Sequence, residues 1–408
     1  MQLLSEVPGT SYINKMHKEL KTIFLFGPHD RFNYGDLLFP LMLEYAISKK
    51  VKCKFVFRKA SIIDSDLTRS GAYKSISYKK LKKKIKSHDI LIVTGGECLK
   101  AKWKILLSYL KWWYNEIVQR PKIFNIFKRL KIEKQLFGAT NEFPYCIDRN
   151  DFPESIKIMY NSVGGGVSLD ENQLKNVNSS DYIAVRDKRS FDFLRERVSK
   201  EVFMVPDSAI ILSDVFPKEK ITKSKEVLNL HTKEEKYIFF QVSKARVKNN
   251  IDSIVKELED LSTKSLHKIL LCPIGTALGH EDHVVLKQIF DKLNCKKVFI
   301  EKPSIHDILF LIIHAELYVG SSLHGAITAM SYGVPYLTLD KRQTKIKSYL
   351  ESWSIGELSN MYEIDDFSKK ALKLIEDRAY CKDAILEKSK IQKDLYYQSV
   401  DRMINLMR

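Results

Sequence analysis

Short apolar runs of strand length alternate with helical patterns along most of this chain. The candidate strands of a first series are Thr22–Gly27, Val51–Phe57, Asp89–Gly95, Ile156–Val163, Tyr182–Arg186 and Val202–Pro206. A second series comprises Tyr237–Val242, Lys268–Pro273, Lys297–Ile300, Glu316–Gly320 and Pro335–Leu339. Between them, apolar residues recur at helical spacing in Leu38–Lys49, Arg189–Val198, Ile251–Leu261, Val284–Leu293 and Ile305–His314. Strand–helix alternation predicts parallel sheets with helices on both faces. The polar, lysine-rich stretch Phe216–Glu235 separates the two series. We therefore expect two doubly wound, Rossmann-like α/β domains in a GT-B-like arrangement, residues 1–225 and 226–408. Beyond Asp365 the pattern is helical only, so terminal helices are assigned to the second domain. Ligands of such a fold lie at the carboxyl ends of the strands, here in the cleft between domains.

Length and composition agree. A chain of 408 residues is too long for one ordinary core, and 44% apolar residues suffice for two. The first twenty residues have no apolar h-region, so no secretory signal is expected. The longest apolar run, Ile308–Ile313, is far too short to span a bilayer. Six cysteines (Cys53, Cys98, Cys146, Cys272, Cys295, Cys381) form no C-x-x-C pair. That argues against a zinc ribbon or a disulfide scaffold and fits a reducing, cytoplasmic compartment.

A net charge of +18 favours polyanionic partners: nucleic acid, anionic headgroups or phosphorylated substrates. Two stretches concentrate it. Lys74–Lys86 carries seven lysines, and Lys100–Phe137 carries ten Lys or Arg against two Glu, interleaved with Trp103, Trp112, Trp113 and other aromatics. The second stretch reads as a helical insertion in the first domain. It suits peripheral docking on the inner face of the membrane, or it buries its aromatics and solvates its lysines. A basic protein that binds nucleic acid or membrane through Lys74–Phe137 is the non-enzymatic alternative.

Five segments can carry chemistry. In FGPHDRFNYGD, Asn33, Gly35 and Asp36 lie where a strand meets a helix starting near Leu37, with Asp36 as N-cap. This is a cleft loop that contacts an acceptor sugar, or a plain capped turn. VTGGE ends a buried strand, and Gly95, Gly96 and Glu97 are placed on the acceptor side as well. SVGGGVS lacks the spacing of a dinucleotide site. In IAVRDKRS, Arg186 stands at a strand-to-helix turn, where a guanidinium grips a carboxylate or phosphate bidentately. In VGSSLHGAITAMSYGVP, Ser321, Ser322 and His324 open a helix, so free N–H groups, two hydroxyls and an imidazole converge on an anion site. His324 there can also serve as general acid or base. PIGTALGHEDH has the order H-E-D-H, not H-E-x-x-H, so it reads as a cleft loop that caps the next helix, and no metal is expected.

Taken in order, N-Y-G-D, T-G-G, V-R-D, P-D-S at Pro206–Ser208, the I-G-x-x-x-G-H-x-D loop, and S-S-L-H-G with G-V-P resemble the polysaccharide pyruvyl transferase family from Thr22 to about Leu350. The resemblance implies a GT-B-like enzyme that moves the enolpyruvyl carbons of phosphoenolpyruvate onto a sugar as a ketal. The acceptor would be a bacterial capsule or exopolysaccharide glycan, or its lipid-linked precursor. Neither a cofactor nor nucleic acid is then expected. His324 and Arg186 correspond to the family's histidine and arginine, and Lys345 matches a lysine after the G-V-P strand. Many members carry arginine where this chain has Ser322, and Lys244 or Arg246 are the candidates to replace its charge. The implied roles are His324 as acid or phosphate ligand, Arg186 and Lys345 as anion clamps, and Asp36 as base. The other enzymatic reading is a GT-B glycosyltransferase whose nucleotide-sugar donor sets its diphosphate on Ser321–His324.

Overall fold

The computed structural model describes residues 21–51, 55–231, 235–247 and 250–408. The expectation of no signal segment (residues 1–20) and Cys53 fall outside them. The strands are β1 Lys21–Phe26, β2 Phe55–Ser61, β3 Ser65–Asp66, β4 Lys74–Ser77, β5 Ile90–Val93, β6 Lys157–Val163, β7 Tyr182–Val185 and β8 Val202–Met204. They continue with β9 Tyr237–Gln241, β10 Lys268–Leu271, β11 Lys297–Phe299, β12 Leu317–Gly320, β13 Tyr336–Leu339 and β14 Met361–Tyr362. Eight form one sheet in the order β3-β4-β2-β1-β5-β6-β7-β8, and six form a second in the order β11-β10-β9-β12-β13-β14. Each pairing is parallel except β3 with β4.

The physical cause is the apolar pattern. β5, ILIV, is buried along its whole length, as a strand covered on both faces must be. In β1, Ile23 and Leu25 enter one core while Phe24 and Phe26 enter another, because successive side chains point to opposite faces. The strand order reverses between β1 and β5 in the first sheet and between β9 and β12 in the second. The connections leaving each pair diverge there, which opens a crevice at the strand ends.

Three short strands escaped the apolar pattern, and β2 begins at Phe55 rather than Val51. The edge β3–β4 is held by hydroxyls, with Ser75 bonded to Ser61 at 2.5 Å and to Ser65 at 2.8 Å. β4 starts inside the lysine tract, whose charge is partly compensated: Lys74, Lys80 and Lys82 each lie 3.0 Å from an aspartate, Asp66, Asp64 and Asp151 respectively.

The insertion folds as four short helices, Trp103–Leu110, Trp112–Val118, Pro121–Arg129 and Ile132–Phe137. Trp103, Tyr114, Phe124, Phe127 and Phe137 are buried in the core on the outer face of the first sheet. The last helix, Arg378–Met407, does not stay with the second domain. Gln392 donates to the Trp353 carbonyl at 3.0 Å, but Ser399 bonds Tyr182 at 2.8 Å and Arg402 stacks on Phe203 of the first domain. No helix among the described residues is long and apolar enough to cross a membrane.

Candidate active site

Both switch points open into one cavity of about 250 Å³. Of the residues singled out from sequence, Asn33, Asp36, Glu97, Arg186, Arg246, Ser321, Ser322, His324 and Lys345 line it. Gly35, Gly95, Gly96 and Lys244 do not.

The first wall is the loop after β1 and the helix Tyr34–Lys50 that follows it. That helix begins three residues earlier than its pattern predicted. Its N-cap is therefore Asn33, and Asp36 lies in the first turn rather than at the cap. The Asn33 amide donates to Asp36 Oδ2 at 2.9 Å and lies 3.3 Å from His280 Nε2. Here the domains also join through backbone: Tyr34 N–H donates to the Ile274 carbonyl at 3.0 Å, and Thr276 N–H to the Phe32 carbonyl at 3.3 Å.

Gly35 contacts no substrate space; it makes room for His324. A Cβ at Gly35 would lie 1.8 Å from His324 Nδ1, so any side chain there overlaps the imidazole. Phe39 meets the same ring edge-on at 5.2 Å. Gly95 and Gly96 turn beneath the Phe39 ring and shape the cavity floor from behind. Both were expected on the acceptor side; they lie against the Phe39 ring and do not line the cavity.

The helix Leu323–Tyr332 starts with Ser322 as N-cap, whose hydroxyl accepts from Gly325 N–H at 3.4 Å. Ser321 is stitched to β9: its N–H donates to the Gln241 carbonyl, and its hydroxyl accepts from Ser243 N–H. His324 Nε2 faces Asp207 Oδ2 at 3.7 Å and has no hydrogen-bond partner among the described residues.

Asp207, fully buried, is the centre that sequence reasoning missed. It accepts from Arg186 Nη1 at 2.6 Å and from Ala209 N–H at 2.9 Å, and its own N–H donates to Tyr349 Oη. Burial alone would push its pKa up. Its interaction with His324 and the Arg186 charge outweigh that and hold it down to about 2. The clue lay in the P-D-S motif, which marks the position but not what it faces.

Arg186 is neither a surface residue nor a free clamp. Asp187 caps the following helix through Ser190 N–H at 3.1 Å, while the Arg186 guanidinium turns inward between Asp207 and Glu97, the latter at 3.5 Å. Gly164 permits this path, since a Cβ there would sit 2.8 Å from Glu97 Oε2 and 3.1 Å from Arg186 Nε.

The opposite wall supplies cations. Lys345, half-buried, forms no ion pair among the described residues. Burial lowers its affinity for a proton, as do Arg186 and Arg246, against the pull of Glu97 and Asp36. Arg246 lies 3.6 Å from Asp340, whereas Lys244 points away to Glu281 on the surface. Of the two candidates to replace the missing arginine, only Arg246 reaches the cavity, because the one-turn helix Lys244–Val247 turns its neighbours to opposite sides.

The loop before the helix Asp282–Lys292 faces the cleft, as expected, but it does not cap by side chain. Glu281 at the N-cap makes no capping bond. Asp282 instead accepts from Gly275 N–H, Ile274 N–H and Gln241 Nε2, while burial pushes it up to about 6. His280 is lowered, chiefly by burial. Arg31, within FGPHDRFNYGD but not singled out there, also lines the cavity, as do Tyr145 and Gln343, which no motif announced.

Two doubly wound domains around a polar, cation-lined cleft define a GT-B-like protein. The sequence model of the family described as polysaccharide pyruvyl transferase matches residues 33–340, and the chain belongs to that family of transferases. No curated protein matches it. Solved structures share the fold at low identity. MnaA of S. aureus, solved with UDP, aligns at TM-score 0.54 and 12% identity over 94% of this chain and 95% of that one. HepE of Anabaena with UDP-glucose gives 0.54 and 9% over 94% and 99%. The UDP-GlcNAc 2-epimerase of Methanocaldococcus jannaschii with UDP-GlcNAc and UDP gives 0.51 and 16% over 95% and 98%.

Proposed function

We propose that this protein transfers the enolpyruvyl carbons of phosphoenolpyruvate to two hydroxyls of a sugar, forming a pyruvate ketal on a bacterial surface polysaccharide or its lipid-linked precursor. What supports this most, beside the family, is the pairing of His324 with buried Asp207 opposite Lys345, which has no ion-pair partner among the described residues, in one cleft. The donor brings a carboxylate and a phosphate, and Lys345 with Arg246 supplies cations to both. A protonated His324, backed by the Asp207 carboxylate, delivers its proton to the methylene carbon. The adjacent carbon gains cationic character, and a first sugar hydroxyl attacks it, losing its proton to Asp36. The second hydroxyl then attacks the same carbon as the C–O bond to phosphate breaks; its proton restores the His324 imidazolium, the proton held by Asp36 passes to the departing phosphate, and inorganic phosphate leaves with the ketal closed. Arg186 holds the Asp207 carboxylate anionic and, lying between it and Glu97, sets their spacing. Preorganised charge of this kind supplies much of the rate enhancement in polar enzyme sites.

The second reading, a nucleotide-sugar glycosyltransferase, is favoured by the Ser322-capped helix terminus. It is also favoured by the UDP-bound state of the fold relatives. Calorimetry of the purified chain against phosphoenolpyruvate and a panel of nucleotide sugars separates the two. Phosphoenolpyruvate binding, with phosphate release once a diol-bearing glycan is added, supports the first. Binding of a nucleotide sugar alone, with nucleotide release, replaces it by the second.

A further inference from the structure

Of the ten cations in Lys100–Phe137, Lys102 alone forms an ion pair among the described residues, with Glu142. Glu133 is occupied by a hydrogen bond from the Tyr114 hydroxyl. The segment thus carries a positive field that the fold does not neutralise. Its aromatics are not what accompanies that field outward, since most of them are buried.

What remains exposed is a different set of apolar side chains. On the helix Pro121–Arg129, Phe124 and Phe127 face inward, while Ile123 and Ile126 are 45% and 56% exposed and the C-cap residue Leu130 is 59% exposed. Positions 123, 126 and 130 follow i, i+3, i+7 and form one outward stripe. Lys122 and Arg129 fall together on one flank of that stripe at the same helical spacing. Trp112, 77% exposed, stands on the preceding helix, which packs on this one through Tyr114. A globular fold gains nothing from two isoleucines and a leucine set in water, and contiguous apolar surface beside uncompensated cations is the composition of an interfacial helix.

We propose that this outer face of the insertion docks on an anionic lipid bilayer, with Ile123, Ile126 and Leu130 entering the interface and Lys122 and Arg129 meeting headgroup phosphates. Charge complementarity selects the occupant: the surface is cationic and apolar at once, which a bilayer satisfies and a soluble polyanion does not. Docking there also positions the cleft. Ala101 and Leu106 of the same insertion line the cavity, and Tyr109 packs over Gly279 of the second domain. The active cleft is thereby held beside the membrane, where a lipid-borne glycan is presented. This inference concerns location and stands independently of which donor the cleft uses.

Co-sedimentation of the full chain tests it, with vesicles of phosphatidylcholine alone and of equal parts phosphatidylcholine and phosphatidylglycerol. Pelleting is expected only with the anionic vesicles and only at low salt, because salt screens the attraction. The pair Lys122→Gln and Arg129→Gln lowers partitioning by about thirtyfold. The pair Ile126→Ser and Leu130→Ser lowers it too, with charge unchanged. Both variants keep the wild-type melting temperature, since the altered side chains face solvent. Wild-type protein that stays in solution with anionic vesicles at low salt overturns the proposal, whether or not it binds a single-stranded RNA probe. So does an Ile126→Ser, Leu130→Ser variant that pellets as wild type does. Either result leaves donor binding, measured separately, untouched.

Discussion

Gly35→Ala is the sharpest probe of the cleft, because two physical effects act on it with opposite sign. Gly35 lies in the first turn of the helix Tyr34–Lys50. Helix propensity alone predicts stabilisation, by up to about 1 kcal/mol. Tertiary contact predicts the reverse. The new Cβ would stand 1.8 Å from His324 Nδ1, 2.1 Å from its Cγ and 2.5 Å from its Cε1. To restore van der Waals contact the ring must retreat by roughly 1.6 Å. Phe39 and the Asp207 side hold it, so it has little room to do so. Overpacking of this sort costs ~1–3 kcal/mol, which exceeds the propensity gain. A displacement of about 1 Å at a reacting group lowers turnover by roughly 100-fold. The expected result is therefore a lowered melting temperature together with a loss of phosphate release of two orders of magnitude or more. Calorimetry should show donor affinity changed far less, since Lys345 and Arg246 stay in place. A Gly35→Ala enzyme with wild-type turnover and an unchanged melt would show that the imidazole is free to move, and the assignment of His324 to the reacting centre would fail.

Other positions give distinct outcomes. His324→Ala should cut turnover by about 100-fold or more with the fold intact, the scale of one acid–base group, and near-normal turnover would remove it from the mechanism. Lys345→Gln should chiefly raise the donor concentration needed for half-maximal rate. Arg186→Lys should instead destabilise, because a point charge cannot span Asp207 and Glu97; a melt unchanged by Arg186→Lys would refute that bridging role. Asp207→Asn addresses pH. The native carboxyl at about 2, against 3.8 unperturbed, contributes roughly 2 kcal/mol that is present above pH 4 and lost as pH falls toward 2. The variant should be less stable than wild type at pH 7, and the gap should narrow through that acid window. A gap constant from pH 7 to pH 2 would contradict the coupling to His324 and Arg186.

Much of this protein was legible in its sequence, for reasons of local physics. Short apolar runs such as ILIV, bounded by polar and glycine residues, fit strands covered on both faces, and their alternation with helical patterns pointed to two parallel sheets. Strand ends followed by Asn33, Glu97, Arg186 or Ser321 marked the cleft, since each of those positions opens at a carboxyl edge. The ordered motifs that resemble the transferase family met the family match over residues 33–340. Where side chains carry no apolar signal, the reading failed: β3 and β4 are joined by serine hydroxyls, and the last helix returns to the first domain through Ser399 and Arg402.

Only the tertiary structure decided which groups face one another. Asp207 and His324 sit in different domains, and nothing local to either says that 3.7 Å separates them. Gly35 looked like a turn glycine and is instead the space that His324 occupies. Lys244 and Arg246 are equivalent by composition, yet the helical step between them sends one to Glu281 and the other to the cleft. From sequence, only the insertion's cations and aromatics were weighed; packing buried Phe124 and Phe127 and left the unremarked aliphatics Ile126 and Leu130 in water. Pattern reports what each residue prefers; contact between distant segments is settled by how the two sheets and their helices pack, and no local preference encodes it.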